Sequence, residues 1–353
     1  MARTRRVDPS SDPGFARLRR GRGFSYVDTD GSRIEDVPTI DRIRALAIPP
    51  AWTDVWICTD PYGHIQATGI DAAGRKQYRY HDLWRRRRDA AKFDAMIAFA
   101  RALPQLRRRV RDDLRGDAVD RVRVLACAVR LLDVGFFRIG SEDYAEQNET
   151  YGLTTLRRSH ARVEDGIVVF DYPAKHGVRR VQQVLDEDAR EIVCTLKQRR
   201  GGGPELLAFK EKRRWVDVKA DDVNAYLKEA AGGDFSAKDF RTWNATALMA
   251  VALAVRAEQA GSRASRRRIV TAAVREVATF LGNTPAVCRR SYVDPRVIDR
   301  FQSGLTIAEA LAEPAEPTPG EPVEERPVDE QVRRAVLDLI AGDKESPRVE
   351  RVG

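Results

Sequence analysis

The spacing of apolar residues changes near residue 90, and this change divides the chain into two parts that require different folds. Residues 23–90 contain short apolar runs separated by turn sequences such as Thr29-Asp30-Gly31 and Asp60-Pro61-Tyr62-Gly63, which is typical of strands joined by hairpins. After residue 90 the apolar residues recur at helical spacing, as they do from Val124 to Leu132,. We therefore predict an α+β protein with a small β-rich N-terminal domain and a larger, mainly α-helical second domain.

A small β-hairpin sheet is predicted within the helical part. Asp165-Gly166 is a turn sequence between Ser159–Val163 and Ile167–Tyr172,. Ala174-Lys175-His176-Gly177 then turns the chain into a third strand over Val178–Val184,.

Two long helices are predicted after this sheet. The segment Ala245–Ala260 is apolar on nearly all sides, so we expect it to be buried. A second helix, capped by Ser265, runs to Leu281 and ends at Gly282,. These patterns predict four parts: a basic arm over residues 1–22, the β-rich domain over 23–90, the helical domain over 91–310 and an acidic, Pro/Glu-rich tail over 311–353. Within the tail we predict a linker at 313–327 and a short helix at 329–341.

The net charge is distributed unevenly along the chain. Residues 311–353 contain eleven acidic and six basic residues, which leaves +14 on the first 310 residues of a chain whose formal total is +9. A folded body with this charge is suited to a polyanion such as nucleic acid. The excess of Arg over Lys also fits the codon usage of a GC-rich genome, so the charge alone does not assign a function.

The sequence lacks the patterns of membrane, metal and nucleotide-dependent proteins. No apolar run approaches the ~18 residues of a membrane span, and no apolar stretch follows the basic N-terminus as in a secretory signal. Cys58, Cys127, Cys194 and Cys288 are far apart, so we expect reduced thiols and no metal site. There is no glycine-rich phosphate-binding motif, and we expect no cofactor.

Five polar residues lie where predicted elements begin or end, which is where functional groups concentrate. They are Arg138, Lys175, Arg241, Asn283 and Tyr292. Planar guanidinium groups suit a phosphate, and a loop lysine can donate a proton to a ligand. Arg289 and Arg290 precede Tyr292 and are expected to favour its phenolate, so this tyrosine is a candidate nucleophile.

Each of the five also has a structural interpretation that the local sequence leaves open. Arg138 can pair with Glu142 or Asp143, and Arg241 can pair with Asp239,. Lys175 can be a solvated turn residue. Asn283 can be a helix cap, and Tyr292 can pack its ring while its hydroxyl stays hydrated.

Seven stretches follow one another in an order and spacing that chance explains poorly. They are Ile48–Ile57, Gly63–Gly69, Gly74–His81, Phe136–Gly140, Glu149–Leu156, Lys238–Trp243 and Gly282–Ala286 leading to Ser291-Tyr292. Together they resemble the type IB DNA topoisomerases, specifically the compact bacterial and poxvirus kind.

The resemblance implies a catalytic role for each of the five residues. Tyr292 attacks a phosphodiester and becomes linked to the 3′ phosphate, Arg138 and Arg241 hold the non-bridging oxygens, and Lys175 protonates the departing 5′ oxygen. Asn283 stands where many members have His. An amide can donate a hydrogen bond but cannot act as an acid, so we assign it phosphate binding only.

The resemblance also implies a β-rich domain that clamps duplex DNA against the catalytic domain. The residues to which it assigns DNA contacts are Gln77, Tyr78, Tyr80, Ser141, Tyr144 and Lys238. A different register of the lysine hairpin would give the acid role to a neighbour, of which the candidates are His176, Arg179 and Arg180.

We therefore predict an enzyme that relaxes supercoiled DNA by cleaving and religating one strand, without ATP or a metal. Its expected partner is double-stranded DNA, its expected state a monomer, and its expected location the cytoplasm, associated with the nucleoid. One alternative is a tyrosine recombinase, which shares the chemistry but usually has a helical N-terminal domain. The other is a non-catalytic architectural DNA-binding protein.

Overall fold

A computed structural model describes residues 3–142, 145, 148–312 and 330–351 of the chain. The chain forms two compact units, residues 1–92 and 93–353. The predicted α+β class is confirmed, with an antiparallel sheet in the first unit and helices with small sheets in the second. The linker predicted over residues 313–327 lies outside the described residues.

The first unit contains a five-stranded antiparallel sheet. Its strands are β1 (Gly14–Arg20), β2 (Gly23–Val27), β3 (Thr53–Cys58), β4 (Ile65–Ile70) and β5 (Lys76–Tyr80), in the spatial order β2-β1-β3-β4-β5. Strand β1 lies in the stretch expected to be a basic arm, so the sheet starts earlier than predicted. The physical reason is that Phe15 of β1 packs against the core of this unit.

One short helix that the sequence analysis missed completes this core. Helix α1 (Val37–Ala45) begins at Asp36, whose carboxylate accepts a hydrogen bond from the Thr39 N–H at 2.9 Å,. Ile43 of α1 is buried with Val55 of β3.

The second unit is mainly helical. The helices after α1 are α2 (Asp82–Leu114), α3 (Arg121–Gly135), α4 (Glu187–Gln198), α5 (Ala220–Ala231), α6 (Ala237–Ala254), α7 (Arg263–Leu281), α8 (Pro285–Ser291), α9 (Pro295–Gln302), α10 (Ala308–Ala312) and α11 (Glu330–Ala341). None of the helices in the described ranges is long and apolar enough to cross a bilayer.

Three small antiparallel sheets accompany these helices in the part of the second unit that the structure describes. The predicted hairpin sheet is confirmed as β6 (Ala161–Glu164), β7 (Ile167–Pro173) and β8 (Arg179–Val184), in that spatial order. Two further pairs were not predicted: β9 (Ala208–Glu211) with β10 (Arg214–Asp217), and β11 (Leu305–Thr306) with β12 (Glu350–Arg351).

The two long helices predicted near the C-terminus are present with corrected bounds. Helix α6 is buried along most of its length, as expected, but it starts at Ala237 and ends at Ala254. Helix α7 ends at Leu281, with Gly282 in the left-handed conformation at φ 61°,. Its N-terminal cap is Ser262, whose hydroxyl accepts a hydrogen bond from the Ser265 N–H, so the predicted cap at Ser265 was wrong.

The C-terminal helix α11 belongs to the core of the second unit. The predicted short helix is confirmed, but Ala335 and Val336 are fully buried, so this part of the chain is not a solvated tail. The Arg333 guanidinium donates to the backbone carbonyl oxygen of Ala100 in α2 at 3.0 Å. Strand β12 further ties the chain end to β11.

Because Leu339 of α11 is 2% exposed, we expect Leu339→Ala to lower the free energy of unfolding by about 2–5 kcal/mol. Urea unfolding followed by circular dichroism measures this change. The control is Lys344→Ala, an exposed site that should stay within about 0.5 kcal/mol of the wild type. An equally small effect of both substitutions would contradict the assignment of α11 to the core.

Candidate active site

Arg138 lies on a backbone segment that is held tightly after the end of α3. Phe136 ends this helix in the left-handed conformation, at φ 57°. The carbonyl oxygen of Arg138 accepts a hydrogen bond from the Leu153 N–H at 2.7 Å. A Cβ atom on Gly152 would lie 2.5 Å from the Cα atom of Gly140, so these two glycines permit a backbone approach that larger residues would block.

The carbonyl groups at the end of α7 bind three guanidinium groups. The last carbonyls of a helix have no partner within it and carry partial negative charge, so cations are stable there. Arg180 donates to the carbonyl oxygens of Thr279 and Phe280 at 3.1 and 2.7 Å. Arg241 donates to that of Leu281 at 2.8 Å, and Arg138 donates to that of Gly282 at 3.0 Å.

Arg241 is the most buried of these arginines, at 5% exposure. One terminal nitrogen donates to the Phe136 carbonyl oxygen at 2.7 Å, while its Nε has no partner among the described residues. Burial and the charge of Arg138 lower the pKa of Arg241 to about 10. The alternative pairing with Asp239 is wrong, because the Asp239 carboxylate accepts from the Ser236 N–H at 2.8 Å.

Asn283 joins this cluster through its side chain. Its Oδ1 accepts a hydrogen bond from Arg138 at 2.6 Å, and its buried Nδ2 has no partner in the described part of the chain. The interpretation of Asn283 as a helix cap is wrong, because Thr284 caps α8 by accepting from the Val287 N–H at 3.3 Å. The amide therefore has a donor available for a ligand.

Tyr292 is held in place at the end of α8 by its backbone. Its N–H donates to the Cys288 carbonyl oxygen at 3.0 Å, and its carbonyl oxygen accepts from the Thr246 hydroxyl of α6 at 3.2 Å. The guanidinium carbon of Arg241 lies 5.2 Å from the centroid of the Tyr292 ring. Because α6 carries both Thr246 and Arg241, one helix sets the position of the tyrosine and of its nearest cation.

The electrostatic surroundings of Tyr292 favour its phenolate. Partial burial alone would raise the pKa of Tyr292, but the charges of Arg241 and Arg138 and their hydrogen bonds outweigh burial, so the pKa is lowered,. The sequence analysis assigned this effect to Arg289 and Arg290. Both are exposed on α8, and the cations that act on the phenol come from distant parts of the sequence.

Lys175 lies in the turn between β7 and β8 and lines one cavity together with Arg138, Arg180 and Arg241. Arg179, an alternative acid, is directed away from this cavity, because it forms an ion pair with Asp171 at 2.6 Å on the other face of the sheet. The register of the hairpin therefore brings Lys175 and Arg180 to the cavity. The side chain of His176 lies outside the described residues.

The predicted DNA contacts of the first unit do not share one face of the sheet. Tyr78 and Tyr80 are exposed on β5, and their rings stack with centroids 5.9 Å apart. Gln77 alternates to the opposite face, where its amide donates to the Asp71 carboxylate at 2.9 Å,. The structure therefore groups the two tyrosines and separates Gln77 from them.

The predicted DNA contacts of the second unit lie at two element boundaries. Ser141 is exposed after the Arg138 segment, and Lys238 is exposed in the first turn of α6. Tyr144 lies outside the described residues. Of the alternative partners of Arg138, Glu142 pairs instead with Lys219, and Asp143 lies outside the described residues.

The family assignment follows from comparison with known proteins. Residues 81–313 match the model described as eukaryotic DNA topoisomerase I, catalytic core, and residues 23–71 match the bacterial DNA topoisomerase IB N-terminal domain. The chain belongs to the type IB DNA topoisomerase family. This is a family of isomerases, and its catalytic-core match contains all five residues of the candidate site.

Viral and cellular topoisomerases are among the similar proteins. DNA topoisomerase 1B of Acanthamoeba polyphaga mimivirus is 29% identical over 300 residues, which are 82% of this chain and 88% of the relative. DNA topoisomerase 1B of Vaccinia virus (strain Copenhagen) is 20% identical over 75% of this chain and 82% of its own length. DNA topoisomerase 1 of Drosophila melanogaster is 27% identical over 45% of this chain and 16% of its own.

The pKa of Tyr292 gives a test of the candidate site that needs no substrate. Because Arg138 favours the phenolate, its removal in Arg138→Ala should raise the pH at which Tyr292 ionises. The ultraviolet absorbance of tyrosinate is followed against pH in each protein and in the same protein with an added Tyr292→Phe substitution. The difference between the two curves is the titration of Tyr292. Arg289→Ala is the matched control and should leave the titration unchanged. An unchanged titration in Arg138→Ala would contradict the electrostatic account.

Proposed function

We propose that this protein relaxes supercoiled DNA by cleaving one strand of the duplex and resealing it. The Tyr292 hydroxyl attacks the phosphorus of a phosphodiester, and the strand becomes linked to the protein through a 3′-phosphotyrosyl bond. The observation that carries this proposal is the 5.2 Å contact between the Arg241 guanidinium and the Tyr292 ring. Together with Arg138 it lowers the pKa of the phenol, which a nucleophilic tyrosine requires.

The donors of the site match the needs of phosphoryl transfer. Charge accumulates on the equatorial oxygens of the transferred phosphoryl group, so catalysis depends on positioned donors and cations. The Nε of Arg241 and the Nδ2 of Asn283 are buried donors without partners in the described residues, and an unsatisfied buried donor is costly unless a ligand uses it. We assign both, with Arg138, to the non-bridging oxygens.

We assign Lys175 as the acid that protonates the departing 5′ oxygen, because an unprotonated alkoxide is a poor leaving group. The tyrosyl ester conserves the energy of the broken bond. Attack of the free 5′ hydroxyl on the ester reverses the reaction, and rotation of the duplex between the two steps releases supercoils. This scheme uses neither ATP nor a metal ion.

Binding to double-stranded DNA is proposed to be mainly electrostatic. The +14 net charge of residues 1–310 favours release of counterions from DNA, so binding should weaken steeply as salt increases. The stacked Tyr78 and Tyr80 of the first unit are the proposed DNA contacts of β5. We propose that the protein acts as a monomer, and that in a cell it is cytoplasmic and associated with the nucleoid.

A plasmid assay tests this function. Purified wild-type protein, supercoiled plasmid and EDTA are combined without nucleotide, over a series of salt concentrations, and relaxation to a ladder of topoisomers is expected. Tyr292→Phe should still shift DNA in a gel but should neither relax it nor form a covalent adduct, because the nucleophilic oxygen is absent. Tyr226→Phe, whose hydroxyl bonds to Asp113 at 2.8 Å away from the site, is the matched control and should relax DNA.

Three results would contradict the proposal. A wild-type protein that binds DNA without relaxing it at any salt concentration would favour an architectural protein. Recombinant products between two plasmids would favour a recombinase. A covalent adduct formed by Tyr292→Phe would place the nucleophile elsewhere.

A further inference from the structure

Arg180 is a cation of the candidate site for which the sequence predicted only the role of an alternative acid. It lies on β8 opposite Tyr172 of β7, five residues after Lys175 on the same hairpin. It lines the cavity that also contains Lys175, Arg138 and Arg241. Burial and the charge of Arg138 lower the pKa of Arg180, so this half-buried position is unfavourable for a cation unless specific contacts stabilise it.

The contacts of Arg180 connect the hairpin to the end of α7. Its two terminal nitrogens donate to the carbonyl oxygens of Thr279 and Phe280 at 3.1 and 2.7 Å. A Cβ atom on Gly282 would lie 2.7 Å from the nearer of these nitrogens, so the guanidinium packs directly against the glycine that precedes Asn283. The planar fork of arginine makes both bonds at once, which an ammonium group cannot match.

A second anchor holds the same face of the hairpin, two residues further along β8,. The Tyr172 hydroxyl donates to the Gln182 side chain, and the Gln182 amide donates to the Gly135 carbonyl oxygen at the end of α3. Burial raises the pKa of Tyr172 to about 12, so the hydroxyl remains a donor at neutral pH. The hairpin is therefore fixed to α3 through Gln182 and to α7 through Arg180.

Lys175 lacks an anchor of its own. It is exposed in the turn, and the structure records no hydrogen bond from its ammonium group to another described residue. Its position relative to Arg138 and Asn283 therefore depends on how the hairpin is attached. Arg180 is the contact that joins this hairpin to the segment where Arg138 and Asn283 meet.

We propose that Arg180 is a positioning residue that holds the Lys175 hairpin against the end of α7, so that the acid reaches the leaving oxygen. The inference rests on the function proposed above. Arg180 is not the acid itself, because a guanidinium does not release its proton at accessible pH. Its two terminal nitrogens are engaged by carbonyl groups, which separates its role from that of Arg241, whose Nε has no partner in the described residues.

The leaving group of the substrate distinguishes this role from phosphate binding. During cleavage the phenolate oxygen of Tyr292 bonds to phosphorus, the bond from phosphorus to the 5′ oxygen breaks, and that oxygen takes the proton of Lys175. If sulfur replaces the bridging 5′ oxygen, the bond to sulfur breaks and a thiolate leaves without a proton. A residue that acts only through the acid becomes dispensable on the sulfur substrate.

The experiment measures single-turnover adduct formation on two otherwise identical oligonucleotide duplexes, one with 5′ oxygen and one with 5′ sulfur at the cleavage site. Arg180→Ala should slow cleavage of the oxygen substrate about 10-fold or more, up to the ~10²–10⁴-fold that a general acid contributes. It should cleave the sulfur substrate at nearly the wild-type rate. Lys175→Ala should show the same pattern with a larger loss. The double variant should be no slower than Lys175→Ala, because the two residues act as one unit.

Arg179→Ala is the matched control. It removes the adjacent arginine, which pairs with Asp171 outside the cavity, and should leave both rates unchanged. If Arg180→Ala does not fold, as judged by its thermal midpoint, Arg180→Gln is compared on the same two substrates.

Equal slowing of Arg180→Ala on the oxygen and sulfur substrates would overturn the inference, since a loss of phosphate binding or of general packing affects both. Losses of Arg180→Ala and Lys175→Ala that multiply in the double variant would also overturn it. A wild-type protein that cleaves neither duplex, although it binds both, would instead contradict the proposed function.

Discussion

The candidate site depends on the end of one helix. Four successive carbonyl groups, from Thr279 to Gly282, accept hydrogen bonds from three arginines that come from three separate segments of the chain. Without these hydrogen bonds, three cations gathered beside one another would repel, and the carbonyl groups of Phe280, Leu281 and Gly282 would lack donors among the described residues,. The helix terminus therefore holds the three arginines together as one cationic cluster. Helix α6 adds the tyrosine to this arrangement through Thr246.

Much of the fold was predictable from the sequence, because hairpins and buried helices leave local patterns. The turns at Asp60–Gly63 and Asp165-Gly166 and the stop at Gly282 all lie where the structure has them. The elements that were missed depend on distant contacts. Strand β1 carries several arginines, so its sequence predicts a basic arm. Its place in the sheet depends on the packing of Phe15 against the core. The last helix was predicted, but its burial was not, because the residues that bury it lie in other helices.

The site was predictable in its residues but not in its contacts. The resemblance named Arg138, Lys175, Arg241, Asn283 and Tyr292, and the structure brings Arg138, Arg241 and Asn283 together with the tyrosine. The resemblance could not show that arginines distant in the sequence, rather than the neighbouring ones, act on the phenol of Tyr292. It also gave Gln77 and Tyr78 one role, although the alternation of a strand sends adjacent side chains to opposite faces. Arg180 was only an alternative acid, because its partners are separated from it by about a hundred residues.

The most direct test of the account identifies the residue that becomes linked to DNA. The covalent adduct is trapped on a duplex from which the fragment with the free 5′ hydroxyl dissociates after cleavage. The adduct is then digested with trypsin and sequenced by mass spectrometry. The account predicts a nucleotide on Tyr292, within the peptide Ser291–Arg296, and on none of the other eight of the nine tyrosines in the chain. An adduct on a different residue, or none with protein that binds the duplex, would contradict it.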